Sequence, residues 1–256
     1  MKKSNFYILA IIILLGSCEK NTFRATERTG IEGKSLLKVG LFTMNTVPVS
    51  QLIYLNGARS SSLIASPYPY PGGGFNTGGG SGGDYFSLNP GVNTIELYTT
   101  NPGTANTISK IFETSQTLEV NQKYTVYIAD TASNMVAISA LDNGKTPADS
   151  GFTNIRFINL IPNSTAVDFY QNQTLLKSNI KYKEFTEFFD IKSGTTDTFS
   201  IRTAGAAPGT PASGLANYRL VLNTNRRIFS IVSRGYLGIT SLTDPRRPSV
   251  SVVVNQ

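Results

Sequence analysis

The chain has 256 residues, a formal net charge of +7, one cysteine and no histidine. Without histidine it lacks the usual general base of a serine hydrolase and the commonest zinc ligand, and one cysteine cannot form an internal disulfide. We therefore expect no metal site, no cofactor and no enzymatic activity. The basic surplus is dispersed, with doublets only at Arg226-Arg227 and Arg246-Arg247, so the composition does not favour nucleic-acid binding.

The first residues have the layout of an export signal. Two lysines precede an uncharged apolar run over 6–15, which is too short to cross about 30 Å of hydrocarbon as a helix. The Leu-Gly-Ser-Cys sequence at 15–18 resembles the bacterial lipobox, in which the cysteine takes the lipid. An ordinary secretory signal and an uncleaved anchor are the alternatives. We expect a lipoprotein signal peptide over 1–17, cleavage between Ser17 and Cys18, and acyl chains such as palmitate on Cys18.

Residues 18–34 are polar and without apolar periodicity, which indicates a lipidated tether. Each methylene of an acyl chain buried in a membrane contributes about 0.8 kcal/mol, so several chains on Cys18 hold the protein without a membrane-spanning segment. We therefore expect a lipid-anchored protein of the cell envelope, with the outer membrane preferred. Whether it faces the periplasm or the cell surface is left open.

After the tether the pattern is almost wholly that of β-strands. Short runs rich in β-branched and aromatic residues occur at 38–42, 51–55, 94–98 and 124–128, separated by glycine, asparagine, proline and serine. No stretch after Cys18 has a convincing helical period. The sequence therefore predicts an all-β fold.

An internal repeat organises these strands. The segment 39–57 aligns without a gap on 155–173, so that Tyr54 falls on Tyr170. The sequence thus predicts two tandem β modules, at 35–145 and 152–256, each about 100 residues long, which is enough for a two-sheet sandwich to bury a core without disulfides.

The extra length of the first module lies in a glycine-rich segment at 60–84. Its composition predicts a mobile surface loop, because ordering many glycines is entropically costly. Tyr68, Tyr70 and Phe75 lie within it. These aromatic residues are candidates for contact with a ligand, and the alternative is that they fold back and cap the core.

The strand 167–170 supplies two further candidates. Alternation predicts that its core face carries positions 167 and 169, and that Asp168 and Tyr170 lie on an exposed face. A carboxylate beside an aromatic ring could receive a sugar or a cation. The alternative is a structural ion pair, with Arg156 as the obvious partner.

Glu184, Glu187 and Asp190 form the densest acidic group. On a strand, Glu184 and Asp190 would share a face and Glu187 would point away, and solvated positions are favoured over acid-base catalysis. Separately, Asp130-Thr131-Ala132 resembles an O-glycosylation acceptor of Bacteroidetes, which makes Thr131 a candidate for modification.

The segment 155–162, followed by 166–170, resembles the opening of the bacterial family called domain of unknown function 4397. The second module carries the resemblance well and the first more weakly, although 122–126 fits the family's end segment. The resemblance implies antiparallel, immunoglobulin-like β-sandwiches on secreted or lipid-anchored proteins, often in Bacteroidetes. It implies no activity and no catalytic residue.

These observations predict a non-catalytic envelope lipoprotein that binds a glycan or a partner protein. The alternative is a structural spacer or assembly subunit that uses sheet edges, for which the apolar C-terminal strand at 249–254 is a candidate. A hydrolase is a third and weaker hypothesis. The oligomeric state is left open.

Overall fold

The computed structural model describes residues 32–46, 49–77, 82–101, 107–193, 197–206, 217–220 and 226–255. The predicted signal peptide, Ser17, Cys18 and most of the tether lie outside these residues. The described secondary structure is entirely β, which confirms the predicted fold class. Within the described parts, no helix has the length and apolarity needed to cross a membrane.

Sheets A and B form a first sandwich. Its strands are β1 (Ser35–Met44), β2 (Ser50–Leu55), β3 (Ala58–Arg59), β4 (Ile64–Ala65), β5 (Tyr68–Tyr70), β6 (Phe86–Leu88), β7 (Gly91–Thr100), β8 (Ile108–Leu118), β9 (Lys123–Thr131) and β10 (Val136–Leu141). Sheet A has the order β10-β9-β1-β5, with β6 also paired to β1. Sheet B has the order β3-β2-β7-β8, with β4 also paired to β2.

Sheets C and D form a second sandwich. Its strands are β11 (Phe152–Asn159), β12 (Val167–Gln171), β13 (Thr174–Ile180), β14 (Phe189–Lys192), β15 (Asp197–Thr203), β16 (Asn217–Leu220), β17 (Ile228–Arg234) and β18 (Ser249–Val254). Sheet C has the order β14-β11-β17-β18, and sheet D has the order β13-β12-β15-β16.

The two sandwiches repeat one strand order. In each, the first strand pairs in parallel with the first strand of the final hairpin, β1 with β9 and β11 with β17. The other pairings within each sandwich are antiparallel. The predicted alignment of Tyr54 with Tyr170 holds structurally, since these residues lie at equivalent positions of β2 and β12.

Each sandwich encloses an apolar core made by alternate residues of its strands. In the first, Leu37, Val39 and Leu41 of β1 point toward sheet B. In the second, Val167 and Phe169 of β12 point toward sheet C, as the alternation predicts. Three rings of the second core, Phe157, Phe169 and Phe199, stack in succession.

A third core joins the sandwiches. It lies between the outer faces of sheets A and C and contains Phe42, Tyr127, Ile158, Val232 and Val253, among others. The layers therefore follow the order B, A, C, D. This arrangement explains why β1 is buried on both faces along almost all of its length. The chain from Gly33 onward accordingly forms one compact unit.

The prediction of a surface loop at 60–84 is wrong for its described residues, which contain β4 and β5. The segment then runs along sheet C. Asn76 N donates to Val252 O at 2.8 Å, and Val254 N donates to Gly74 O at 3.0 Å. A side chain at Gly74 would clash with Val254, and the glycines thus allow close backbone approach.

The C-terminal strand β18 is hydrogen-bonded on both sides. One edge pairs with β17 over six residue positions, from Phe229–Val254 to Arg234–Ser249. The other edge accepts the segment around Phe75, which bridges to Val253. Strand 249–254 therefore closes its own sandwich, and this removes it as an edge for completing another chain.

Candidate functional site at the junction of the two sandwiches

A pocket of about 400 Å³ opens where the linker between the sandwiches passes sheet C. Its size lies within the range of small-molecule sites, about 300 to 1,000 Å³. Its lining combines two aromatic rings, two carboxylates, a lysine and amide groups. We call it the junction pocket, and it is lined by Asn143, Lys145, Thr146, Pro147, Ala148, Asn154, Glu187, Phe188, Phe189 and Asp190.

Asn154, on β11, holds the two walls of the junction pocket together. Its Nδ2 donates to Asp190 Oδ1 at 2.6 Å, and its Oδ1 accepts from Lys145 N at 3.2 Å. The linker lies close against this wall, because a Cβ at Gly144 would come within 3.0 Å of the Phe188 ring. The pocket shape is thereby fixed by one buried amide and one glycine.

The Phe188 ring also covers a buried cation. The guanidinium carbon of Arg156 lies 4.7 Å from the ring centroid, a distance typical of a cation-π contact. Arg156 is 1% exposed and forms an ion pair with Asp142, which is 9% exposed. It also donates to Tyr127 Oη at 3.3 Å and to Ser230 Oγ at 2.9 Å. Residues of both sandwiches therefore meet around one guanidinium behind the pocket.

Asp142 is the centre of this network. Besides Arg156, its carboxylate accepts from Thr125 Oγ1 at 2.6 Å and from Tyr85 Oη at 2.8 Å. Burial and the adjacent Asp142 raise the pKa of Tyr85 well above its usual value. Burial would lower the pKa of Arg156, but Asp142 and Tyr127 outweigh it and the pKa is raised. The tyrosine thus stays neutral and the arginine stays charged.

Lys38 is a second buried cation at the junction. Its Nζ donates to Val254 O at 2.7 Å and lies 4.3 Å from the centroid of the Tyr85 ring. Burial lowers the pKa of Lys38 to about 8, and Asp142 and Asp84 offset this only in part. Unlike Arg156, this ammonium has no ion-pair partner among the described residues.

Asp168 and Tyr170 do not form an open receptor. Asp168 is 4% exposed, and its carboxylate accepts from Asn179 N at 2.8 Å and Gly205 N at 2.9 Å. The predicted exposed face is therefore wrong, and so is the predicted pairing with Arg156. Tyr170 is buried beneath Arg202, whose guanidinium carbon lies 4.3 Å from the ring centroid. Both side chains are committed to contacts within sheet D.

The equivalent face of the first sandwich is more open. Tyr98 occupies the place that Arg202 has in the second sandwich, and its ring lies 4.5 Å from that of Tyr54, centroid to centroid. Glu96 accepts from Lys110 Nζ at 3.1 Å beside this pair. The repeat alignment marked Tyr54, but it gave no sign of Tyr98. The pair packs ring on ring and leaves both tyrosines half-buried.

The aromatic residues of segment 60–84 pack inward. Tyr68 and Tyr70 are half-buried against the core of the first sandwich. Phe75 packs on the third core, 6.2 Å from Phe42 and 6.0 Å from Tyr68 between ring centroids. These contacts favour the capping alternative over ligand contact.

Of the three acidic residues 184, 187 and 190, the last two lie together and the first lies apart. Strand β14 begins only at Phe189, and Glu184 sits in a turn where its carboxylate accepts from Lys181 N at 2.9 Å. Glu187 and Asp190 line the junction pocket together. The predicted shared face of Glu184 and Asp190 is wrong, because strand alternation does not extend through the turn.

Thr131 ends β9 and is half-buried at a turn, with Ser133 Oγ 3.5 Å from its hydroxyl oxygen. Asp130 accepts from Thr131 N at 2.7 Å and from Tyr182 Oη at 2.8 Å. Glycosylation of Thr131 stays a prediction. Among the described residues, no group of three or more histidine, cysteine, aspartate or glutamate side chains could hold a metal ion.

The sequence matches the family model described as domain of unknown function (DUF4397) over residues 74–162 and again over 153–252. The chain belongs to this family. The two matches together extend over more than half of the 256 residues. The first begins inside the glycine-rich segment and continues into β11, so it is displaced from the predicted first module.

Other comparisons add little. No curated protein matches the sequence. One similar structure shows alpha-glucan binding by a streptococcal virulence factor, with 10% identity over 77% of this chain and 92% of that chain and a TM-score of 0.22. Another shows alpha-glucan recognition by family 41 carbohydrate-binding modules from streptococcal virulence factors, with 11% identity over 84% and 96% and a TM-score of 0.22. At these TM-scores neither likeness carries an argument for this chain.

Proposed function

We propose that this chain is a non-catalytic, lipid-anchored protein of the cell envelope that binds a glycan or a partner protein in the junction pocket. The supporting observation is the pocket itself, where Phe188 and Phe189 lie beside Glu187, Asp190 and Lys145 around about 400 Å³. An apolar and aromatic lining with a few polar groups is the usual composition of a small-molecule site.

The polar groups are suited to holding a ligand. Glu187 and Lys145 are exposed, and no ion pair joins either to another described residue. Both can therefore exchange water for hydroxyl, amide or charged groups of a ligand. The wall behind them is fixed by Asn154 and the Arg156 network, so little ordering is needed on binding.

The proposal also covers the cellular location of the protein. The lipobox-like sequence at 15–18 and the absence of any second cysteine favour lipidation of Cys18. Metabolic labelling with palmitate should mark the wild-type chain and not Cys18→Ala. Protease treatment of intact cells then separates the two faces, because digestion of the mature protein places it on the cell surface and survival places it in the periplasm.

Binding is tested with a glycan array and titration calorimetry on the lipidated chain in detergent. We expect Glu187→Ala and Lys145→Ala to weaken binding of any array ligand by about tenfold each, as for the loss of one hydrogen bond to a charged group. Glu113→Ala is the matched control, because Glu113 is exposed on β8 of sheet B, in the other sandwich. Equal binding by all three variants would overturn the assignment of the pocket.

A further inference from the structure

A second and much smaller cleft lies between the two sandwiches, at the ends of β1 and β17. It has a volume of about 30 Å³ and shares no lining residue with the junction pocket. We call it the Arg234 cleft, and its lining includes Phe42, Thr43, Asn45, Ser66, Arg234 and Pro245. Among its described lining residues there is one cation and no carboxylate.

Strand alternation places Arg234 in this cleft. Val232, two residues earlier on β17, packs in the third core, so Arg234 lies on the same face of sheet C, toward sheet A. Its Nε donates to Ser251 Oγ at 3.1 Å. Among the described residues, its terminal nitrogens have no hydrogen-bond acceptor and no ion-pair partner, and they are not fully buried. The remaining N–H groups of the guanidinium are therefore available to a ligand.

The charge of Arg234 is not compensated within the chain. Burial lowers the pKa of Arg234 to about 10, and no neighbouring carboxylate offsets this effect. Asp244, next to the lining residue Pro245, is bonded to Arg246 instead. A partly buried charge is usually paired, because removing an ion from water is costly. The cleft thus lacks the negative charge that Arg156 finds in its own counter-ion.

The volume of the cleft limits which anion can bind there. One water molecule needs about 10–15 Å³ of such space, so about 30 Å³ holds about two groups the size of an oxygen atom. A carboxylate has two oxygens in one plane, and these match the planar fork of a guanidinium. A phosphate group or a whole sugar ring is too large to enter. The cleft therefore suits a carboxylate in both charge and size.

We propose that the Arg234 cleft binds a carboxylate group, with the two oxygens on the terminal nitrogens of Arg234 and the Asn45 amide beside them. The carboxylate belongs either to a free small acid or to an acidic sugar. Arg234 and Asn45 come from different sandwiches, so the bound group contacts both. The site is separate from the junction pocket, and this inference does not depend on the function proposed for that pocket.

The test titrates the lipidated chain in detergent with ¹³C-labelled sodium acetate and follows the line width of the carboxyl resonance. Arg234→Gln should bind acetate at least about tenfold more weakly than the wild type, as for lost hydrogen bonds to a charged group. Arg234→Lys keeps the charge without the planar fork and should bind with intermediate affinity. Arg59→Gln is the matched control, since Arg59 is exposed and has no ion pair with a described residue. Equal binding by Arg234→Gln and the wild type, or no binding by the wild type, would overturn the proposal.

Thermal unfolding separates binding from a purely structural role of Arg234. Sodium acetate should raise the Tm of the wild type above its value in sodium chloride of the same concentration, and it should not raise the Tm of Arg234→Gln. A wild-type Tm that is equal in the two salts would show that Arg234 only supports the fold, and the proposal would fail. Glucuronate in place of acetate distinguishes the two sources of the carboxylate. Tighter binding of glucuronate assigns the site to an acidic sugar, and weaker binding assigns it to a free small acid.

Discussion

Removing the charge of Asp142 should lower the free energy of unfolding, because Asp142 neutralises a buried cation between the two sandwiches. Asp142→Asn keeps the size of the side chain but leaves the Arg156 guanidinium, which is 1% exposed, without a counter-ion. Breaking one half of a buried ion pair costs about 3–5 kcal/mol. Because Leu141 O, Tyr127 and Ser230 still accept or share hydrogen bonds with Arg156, we expect the lower value, about 3 kcal/mol.

The assay is thermal unfolding followed by circular dichroism. For a chain of this size, about 3 kcal/mol corresponds to a fall in Tm of roughly 6–12 °C. Glu113→Gln is the control, since it weakens an exposed ion pair with Lys110 and should leave Tm unchanged. The double variant Asp142→Asn with Arg156→Gln should recover most of the loss, because no buried charge is then left without a counter-ion and the carbonyl oxygen of the introduced asparagine can still accept from Thr125 and Tyr85. An Asp142→Asn protein as stable as the wild type would refute the reasoning.

Three further predictions concern the junction and the residues singled out from the sequence. The pKa of Lys38 is lowered to about 8 in the folded protein, so the unfolded chain binds more protons between about pH 8 and 10.5 and the free energy of unfolding should rise with pH. Urea unfolding should show that the wild type gains about 2 kcal/mol over Lys38→Met between pH 7 and 9.5. A difference that does not change with pH would contradict this. Phe75→Ala should lower the free energy of unfolding by about 2 kcal/mol and leave array binding unchanged, whereas lost binding without lost stability would restore its role in recognition. Asp168→Ala should cost about 1–3 kcal/mol through two unpaired backbone N–H groups, again with unchanged binding, and a variant of wild-type stability would show that those bonds contribute nothing.

Much of the fold is readable from local patterns. Alternation assigned positions 167 and 169 to a core face, and the repeat paired Tyr54 with Tyr170. These signals depend on residues close in sequence, or on similarity between two segments. They do not require knowledge of what packs on the outer face of a sheet.

The candidate site depends on the packing of sheet A against sheet C, which cannot be predicted from local sequence patterns. Lys38 and Arg156 interrupt apolar strands at positions that alternation assigns to solvent, and the third core buries them. The same packing explains the glycine-rich segment, whose polar composition resembles a loop although Gly74 and Gly83 lie against β18. These glycines allow the two backbones to approach closely, and composition alone does not distinguish this role from that of glycines in a flexible loop.

Asp168 shows a different limit. Its place opposite the core face was correct, but the bonds from Asn179 N and Gly205 N come from a bulged neighbour strand and a turn. Every residue except proline has a backbone N–H, so the sequence does not show which residues will donate such bonds. An ion pair with Arg156 was the natural sequence inference, and it was wrong because Arg156 lies on the other sheet.

Hydrogen–deuterium exchange of the lipidated chain with and without a ligand identified on the array tests the central claim most directly. The account predicts that bound ligand protects the linker at 143–148 and the strand start at 187–190, with little change elsewhere. Protection of 68–75 or of 168–170 instead, with the junction pocket unchanged, would contradict it.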